Sequence, residues 1–349
     1  VSGERQDWID VGRGLCIILV VYGHSQGWFV EAGMLSTNWF YEAVHYFRMP
    51  LFFFLSGLFL IKALNKPLPF FLGYRIADLM YVFILWTVFR SLVDALFAGG
   101  GIQQIGHSIA FAFIAPLPGL WFIYTLAVFS LAARALRRLN PTIITAAAAV
   151  AAATIAGTSY GVPEHSTSIE LLDKWGMYFV YFYLGHTLRE LAFTLSIAFR
   201  WSHLALAVTL FVVAFGAVES GFAPVNGATI FIIATSGIWL SCLGSFVVSR
   251  TAASSALGYI GRRSLPIYLG HIFVISFARQ GLKAAGLLDH ASVLNVALVI
   301  AGVLLPLAGY EIAGRCKLDF LFKLPTPVSA FIAKVVDGRR PGQLVSERS

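Results

Sequence analysis

Apolar residues in this chain come in long unbroken runs, not in the periodic stripe of a soluble amphipathic helix. A helix that crosses a bilayer needs about 20 mostly apolar residues. Ten stretches approach that length: 11–29, 40–62, 76–98, 119–138, 142–157, 175–190, 203–218, 228–249, 264–279 and 291–314. The pattern predicts an all-α integral membrane protein, a bundle of about ten transmembrane helices joined by short loops. The first run has no small-residue cleavage site behind it and reads as a retained first helix rather than a signal peptide. The fifth is short and almost entirely alanine and threonine, side chains small enough for close packing, so an interior helix is expected there. The stretch 102–117 is apolar but too short to span, which predicts a re-entrant or interfacial segment.

Composition agrees with the pattern. Of the 349 residues, 58% are hydrophobic and 12% are charged, about half the charged fraction of a soluble domain. The net charge of +8 raises the question of nucleic acid, and its distribution answers it. With the N-terminus placed in the cytoplasm, inner segments and tail hold twenty of the 25 lysines and arginines and outer segments hold three, Lys174, Arg279 and Lys283. That is the bias of a polytopic protein with both termini cytoplasmic, and no nucleic-acid partner is expected. It divides the chain into a transmembrane domain, 1–315, and a basic cytoplasmic tail, 316–349, partly lying on the membrane and partly disordered. Cys16, Cys242 and Cys316 lie far apart and no histidine spacing suits a ligand set, so neither disulfide nor metal is expected. The triple glycine at 99–101 is not followed by a phosphate-binding helix start, and no hydrolase, Walker or zinc-protease motif is present.

Ionisable residues inside spans are costly and point to function by default. The first run holds Arg13 and His24, eleven residues apart. At 100° per residue they return to one helix face, about 16 Å apart along the axis. An arginine at the inner end can hold a phosphate, and a histidine past the middle can act as a base on a hydroxyl. The plainer alternative stays open: Arg13 as a positive-inside anchor and His24 as a packed polar residue. His45 and Arg48 fall a turn apart in the outer half of the second run. Arg90 and Asp94 are spaced i,i+4, for which an intrahelical ion pair is the simplest account. Trp121 opens the fourth run, where an aromatic belt residue would sit. His186 and His271 also lie inside runs, where interhelical hydrogen bonding is the plainer role.

Four motifs then carry a resemblance. They are DWIDVGRG at 7–14 running on to VVYGHS at 20–25, FRMPLFFFLSG at 47–57, LWF at 120–122 and SLPIYLGH at 264–271. In this order, over about residues 5 to 325, they resemble the membrane-bound acyltransferase 3 family, and the wording of the first two is most similar to its fucose 4-O-acetylase-like branch. The resemblance implies a membrane O-acyltransferase of the bacterial inner membrane. It would move an acyl group, acetyl in the first place, from cytoplasmic acyl-CoA to a hydroxyl of a cell-surface polysaccharide or its lipid-linked precursor. Acyl-CoA is then a substrate, and no permanently bound cofactor is expected. Arg13 and His24 match the family's essential pair, and Arg75 matches its basic residue at the start of the third helix.

On that footing His24, Arg13 and Arg48 are the expected catalytic residues, with Arg48 on the oxyanion. Arg13, Arg75, Arg262 and Arg263 are expected to bind the donor, and His45, Arg90, Asp94, Trp121 and His271 to serve the acceptor side or support the site. Two places depart from the branch. Arg48 stands where many members have histidine, and Asp78 and Val82 stand where a second arginine and a proline are usual. The alternative function is a transporter or flippase for a polysaccharide precursor, using the same buried charges as a path. The absence of a visible inverted repeat counts against it.

Overall fold

The computed structural model describes residues 7–98, 102–159, 168–285 and 290–337. The triple glycine at 99–101 and the tail beyond Asp337 lie outside the described residues. Those described are helical, with no strand among them. The longer helices are α1 (Asp7–Glu31), α2 (Trp39–Gly57), α5 (Ala77–Ala98), α7 (Trp121–Leu136), α8 (Pro141–Ser159), α9 (Ser168–Thr187), α11 (Trp201–Glu219), α12 (Gly227–Val248), α14 (Ser264–Ala285) and α15 (Ala291–Arg315). Shorter ones are α3 (Leu60–Leu64), α4 (Leu68–Phe71), α6 (Ile102–Phe111), α10 (Arg189–Ile197), α13 (Ala253–Arg262) and α16 (Thr326–Asp337).

The ten apolar runs fall on helices, although 40–62 is broken between α2 and α3 and 175–190 between α9 and α10. By length and hydropathy alone, four segments are able to cross a membrane: Leu68–Leu96, Trp201–Glu219, Gly227–Val248 and Ala291–Arg315. The physical reason the others fall short is informative. Helices α1, α2, α9 and α14 carry acidic and basic residues along their lengths, among them Asp10 and Arg13, Glu42 and Arg48, Glu170 and Lys174, and Arg279. These lower the mean hydropathy of those helices, while Trp121–Leu136 and Pro141–Ala156 are apolar but too short.

The chain forms two compact units. The first comprises Val1–Leu58, Pro141–Val162 and Gly176–Ile312. Its centre is α1, which packs against α2, α12, α13 and α14. Glycine makes these crossings possible. A Cβ on Gly14 would lie 2.2 Å from the Leu257 carbonyl oxygen, and one on Gly261 would lie 1.8 Å from that of Asp10. The α1 and α13 backbones therefore touch. Gly57 and Gly185 do the same for α2 and α9, each Cβ meeting a carbonyl of the other helix at 2.0 and 2.1 Å. Small residues at membrane helix crossings gain van der Waals contact that larger ones would block. The alanine-rich α8 touches α12 in the same way, since a Cβ on Gly227 would overlap the Ala153 carbonyl. With Ile143 and Val150 exposed, however, α8 is not the interior helix expected from its small residues.

The second unit comprises Phe59–Asn140, Pro163–Trp175 and Ala313–Ser349. Here a π-helical turn, Leu72–Ile76, joins α4 to α5. The tail folds onto it. A Cβ on Gly73 would sit 2.7 Å from the Ser329 carbonyl oxygen and 3.0 Å from Ala333 Cβ. The Leu324 N–H donates to Asp78 at 2.7 Å, and Trp86 Nε1 donates to the Leu321 carbonyl at 2.7 Å. The tail thus begins as a docked segment rather than a loose one. Its basic composition concealed the apolar face of α16, whose Ser329 and Ala333 are buried. Asp78, the departure from the branch pattern, is the residue that caps this docking. Segment 102–117 contributes the short helix α6, packed against α5.

The α1–α13 contact predicts a sharp size limit. Gly261→Leu should lower the melting temperature of detergent-solubilised protein, by an amount equivalent to about 1–3 kcal/mol or more for overpacking. Gly244→Ala is the control, because its Cβ meets nothing within 4 Å. It should melt with the wild type.

Candidate active site

Helix α1 runs unbroken from Asp7 to Glu31, so Arg13 and His24 do share a face. What surrounds His24 comes from two other helices of the first unit. From α2, the Arg48 guanidinium lies against α1 at Gly23, where an added Cβ would fall 1.6 Å from Nη1. Glycine at that position is what allows a cation to reach the α1 backbone beside His24. Arg48 Nη2 is 3.4 Å from His45 Nδ1, and Cys16 Sγ donates to the Arg48 carbonyl at 3.2 Å. Arg48 Nη1 is buried and has no hydrogen-bond partner among the described residues. A buried unpartnered guanidinium nitrogen is expensive to maintain, and such donors are found where a ligand or a developing charge supplies the acceptor.

From α14 comes His271, fully buried. Its ring centroid is 5.3 Å from that of His24, at an interplanar angle of 45°. His271 Nδ1 lies 3.0 Å from the Ile267 carbonyl. A carbonyl oxygen can only accept, so Nδ1 carries the proton and, in the neutral ring, Nε2 carries the lone pair. Tyr268 flanks it at 5.9 Å. His45 is exposed at the edge of the cluster, 6.2 Å from the Tyr41 ring.

Three residues that sequence reasoning passed over hold α1 in place here. Ser25 Oγ donates to Asn295 Oδ1 at 2.6 Å, and Asn295 Nδ2 donates to Gln26 Oε1 at 2.6 Å. All three are buried. The network joins α15 to the two residues that follow His24. The available signal was Asn295 itself, a lone amide in an apolar run, which in a membrane bundle reads as interhelical hydrogen bonding.

At the other end of α1, Arg13 stands one turn from Asp10, and Asp10 Oδ2 is 3.5 Å from Arg262 Nη1. Arg262 is thus brought to the same helix end as Arg13. Arg263 is engaged elsewhere: its Nε donates to Glu311 at 2.7 Å, Tyr259 donates to the same carboxylate at 2.7 Å, and the guanidinium lies 3.8 Å from the Tyr259 ring. Both arginines therefore have a carboxylate partner, Arg263 the closer one at 2.7 Å and Arg262 the longer one at 3.5 Å.

The remaining expected residues belong to the second unit. Arg75 sits in the π-helical turn, a distortion often associated with function. Arg90 Nε is 2.9 Å from both Asp94 carboxylate oxygens, the intrahelical pair that its spacing suggests. Trp121 is buried rather than set in a lipid-facing belt, with Lys174 Nζ 4.7 Å from its ring centroid and Lys174 paired to Glu170 at 2.6 Å. Among the described residues no group of three histidine, cysteine or acidic side chains could hold a metal ion.

The arrangement in the first unit brings together an imidazole, a second imidazole beside it, and a cationic donor against the residue that precedes His24. No curated protein matches the chain, and no solved structure does. Residues 6–310 do match the family described as an acyltransferase domain, which spans α1 to α15 and every residue of the His24 cluster, and the chain therefore belongs to the acyltransferase 3 family.

Proposed function

We propose that this membrane acyltransferase is an O-acyltransferase that takes an acyl group, acetyl in the first place, from cytoplasmic acyl-CoA. It passes that group to a hydroxyl of a cell-surface polysaccharide or its lipid-linked precursor. The protein would lie in the bacterial inner membrane, crossing it ten times with both termini cytoplasmic. The observation that carries the chemistry is the open Arg48 Nη1 lying against α1 at Gly23, the residue before His24. His24 takes the proton of the acceptor hydroxyl as its oxygen attacks the thioester carbon. The carbonyl oxygen becomes an oxyanion, and Arg48 Nη1 donates to it. The carbon–sulfur bond then breaks, and the CoA thiolate leaves with the proton that His24 collected. His271, one ring away, can orient His24 and share that proton. Attack by His24 itself, giving a transient acyl-imidazole, conserves the same atoms and uses the same groups.

The donor's phosphates would meet Arg13 and Arg262 at the far end of α1, with Arg75 as a further cation. The axial distance from Arg13 to His24, about 16 Å, is comparable to an extended pantetheine arm. That spacing would let a cytoplasmic donor present its thioester in the outer half of the bundle. The fucose 4-O-acetylase-like wording of the first two motifs supports a sugar hydroxyl as acceptor.

Three measurements test this reading. His24→Gln should keep the fold and CoA binding but lose about 10²–10⁴-fold in acyl transfer, the range for a general base. Glutamine preserves hydrogen bonding and cannot take the proton, so substantial residual transfer would make His24 structural. Arg48→Met keeps the apolar stem and removes the donor. It should lower kcat by about 10²–10³-fold, as for loss of one oxyanion contact, with little change in donor KM. Arg13→Ala should weaken CoA binding by about 1.5–3 kcal/mol, the value of a hydrogen bond to a charged group, measured by calorimetry on protein whose melting temperature is unchanged.

A further inference from the structure

The first unit contains a second feature that this chemistry does not use, an apolar pocket of about 520 Å³. That size lies within the range of small-molecule sites. Its walls come from the first turn of α1 (Trp8), from α2 (Phe54), from the α9–α10 junction (Leu188, Ala192) and from α12, where the lining runs from Phe231 to Phe246. Fifteen residues of helix span about 22 Å, long enough for a whole chain of one leaflet, which is about 15 Å of hydrocarbon. The walls are mostly apolar, with the buried Trp239 Nε1 the lining donor that has no partner among the described residues. Ser236 lines the pocket, yet its hydroxyl already donates to the Ile232 carbonyl of its own helix at 2.8 Å.

The pocket is not an extension of the catalytic face. Trp8 and Arg13 are five residues apart on α1, a rotation of about 140°. Trp8 and His24 are sixteen apart, about 160°. The pocket therefore opens on another side of α1 from Arg13 and His24.

One rim of the pocket is charged. The Arg250 guanidinium carbon lies 4.1 Å from the ring centroid of Phe246, which lines the pocket, and Arg250 has no carboxylate partner among the described residues. Arg189 stands at the same rim beside Leu188, over Phe193 at 4.5 Å, but is bonded to Glu190. An apolar slot whose mouth carries an arginine with no carboxylate partner among the described residues is complementary to a lipid chain whose head bears a negative charge.

We propose that this pocket is a binding site for an anionic phospholipid, one acyl chain lying along α12 from Phe246 toward Phe231 and the phosphate resting on Arg250. The lipid would fill the space between α1, α10 and α12 and so brace the helix that carries Arg13 and His24.

Native mass spectrometry of the full chain tests this, with phosphatidylglycerol and phosphatidylcholine of identical chains supplied in turn. The wild type should retain one phosphatidylglycerol in clear preference to phosphatidylcholine. Arg250→Gln should reduce retention of phosphatidylglycerol about tenfold, the loss of one charge-assisted contact, and bring it to the level of phosphatidylcholine. Thr235→Trp fills the pocket from α12 and should abolish retention of both lipids. Ala192→Phe, which fills it from the opposite wall, replaces that variant if it does not elute as a single species. Equal retention of the two lipids by the wild type would overturn the proposal, as would undiminished phosphatidylglycerol in Arg250→Gln or in a folded pocket-filling variant.

Discussion

The guanidinium of Arg48 pressed against the backbone of α1 at Gly23 is the contact on which the site depends. A cation inside a helical bundle is costly to bury, and it persists only where the surrounding structure holds it. Here the holding is specific. Gly23 removes the side chain that would occupy the same space, Cys16 donates to the Arg48 carbonyl, and His45 lies within reach of Nη2. What remains is one buried donor nitrogen lying against α1 at Gly23. The stability lost in keeping it open is the kind of local conflict that catalytic sites retain.

That arrangement requires α1 to be placed with little freedom in rotation or height. Two devices supply this. Backbone-to-backbone crossings at Gly14 and Gly261 set the distance between α1 and α13, because a helix that touches another through a bare Cα has no flexible side chain to absorb an error. The Ser25–Asn295–Gln26 network then sets rotation, since a slip of one residue would leave buried polar groups without partners. His24 follows from both. Its ring meets His271 because α14 lies beside α1, and the Ile267 carbonyl in turn orients the His271 imidazole.

Charge is handled differently at the two ends of α1. Near His24 one guanidinium nitrogen of the half-buried Arg48 is enclosed and left open. Near Arg13, Asp10 lies one turn away in α1 and pairs with Arg262 at 3.5 Å. Arg263 shows the contrast within a single dipeptide: a neighbour of Arg262 in the chain, it is enclosed by Glu311, Tyr259 and Tyr310 and serves packing. The second unit contains the same kind of closed pair in Arg90 and Asp94. The ion pairs thus sort into those that complete a fold and those that leave a charge available.

Much of this was legible in the chain alone. Long apolar runs force helices, because a backbone in hydrocarbon must satisfy its hydrogen bonds internally. The shared face of Arg13 and His24 follows from the geometry of one helix. Asp94 lies within reach of Arg90 for the same local reason. What the sequence could not contain were relations between helices. Nothing local indicates that Gly23 is there to admit Arg48, that Asn295 reaches Ser25 across the bundle, or that Arg262 and Arg263 point to different partners. Nor does a basic, proline-bearing tail announce that Asp78 and Trp86 will bind its backbone, because α16 finds its apolar partner only once Gly73 is in place. Local periodicity decides which segments are helices and which residues share a face. Only tertiary packing decides which buried charge is closed by a partner and which is left open for chemistry, because that depends on atoms brought close from distant parts of the chain.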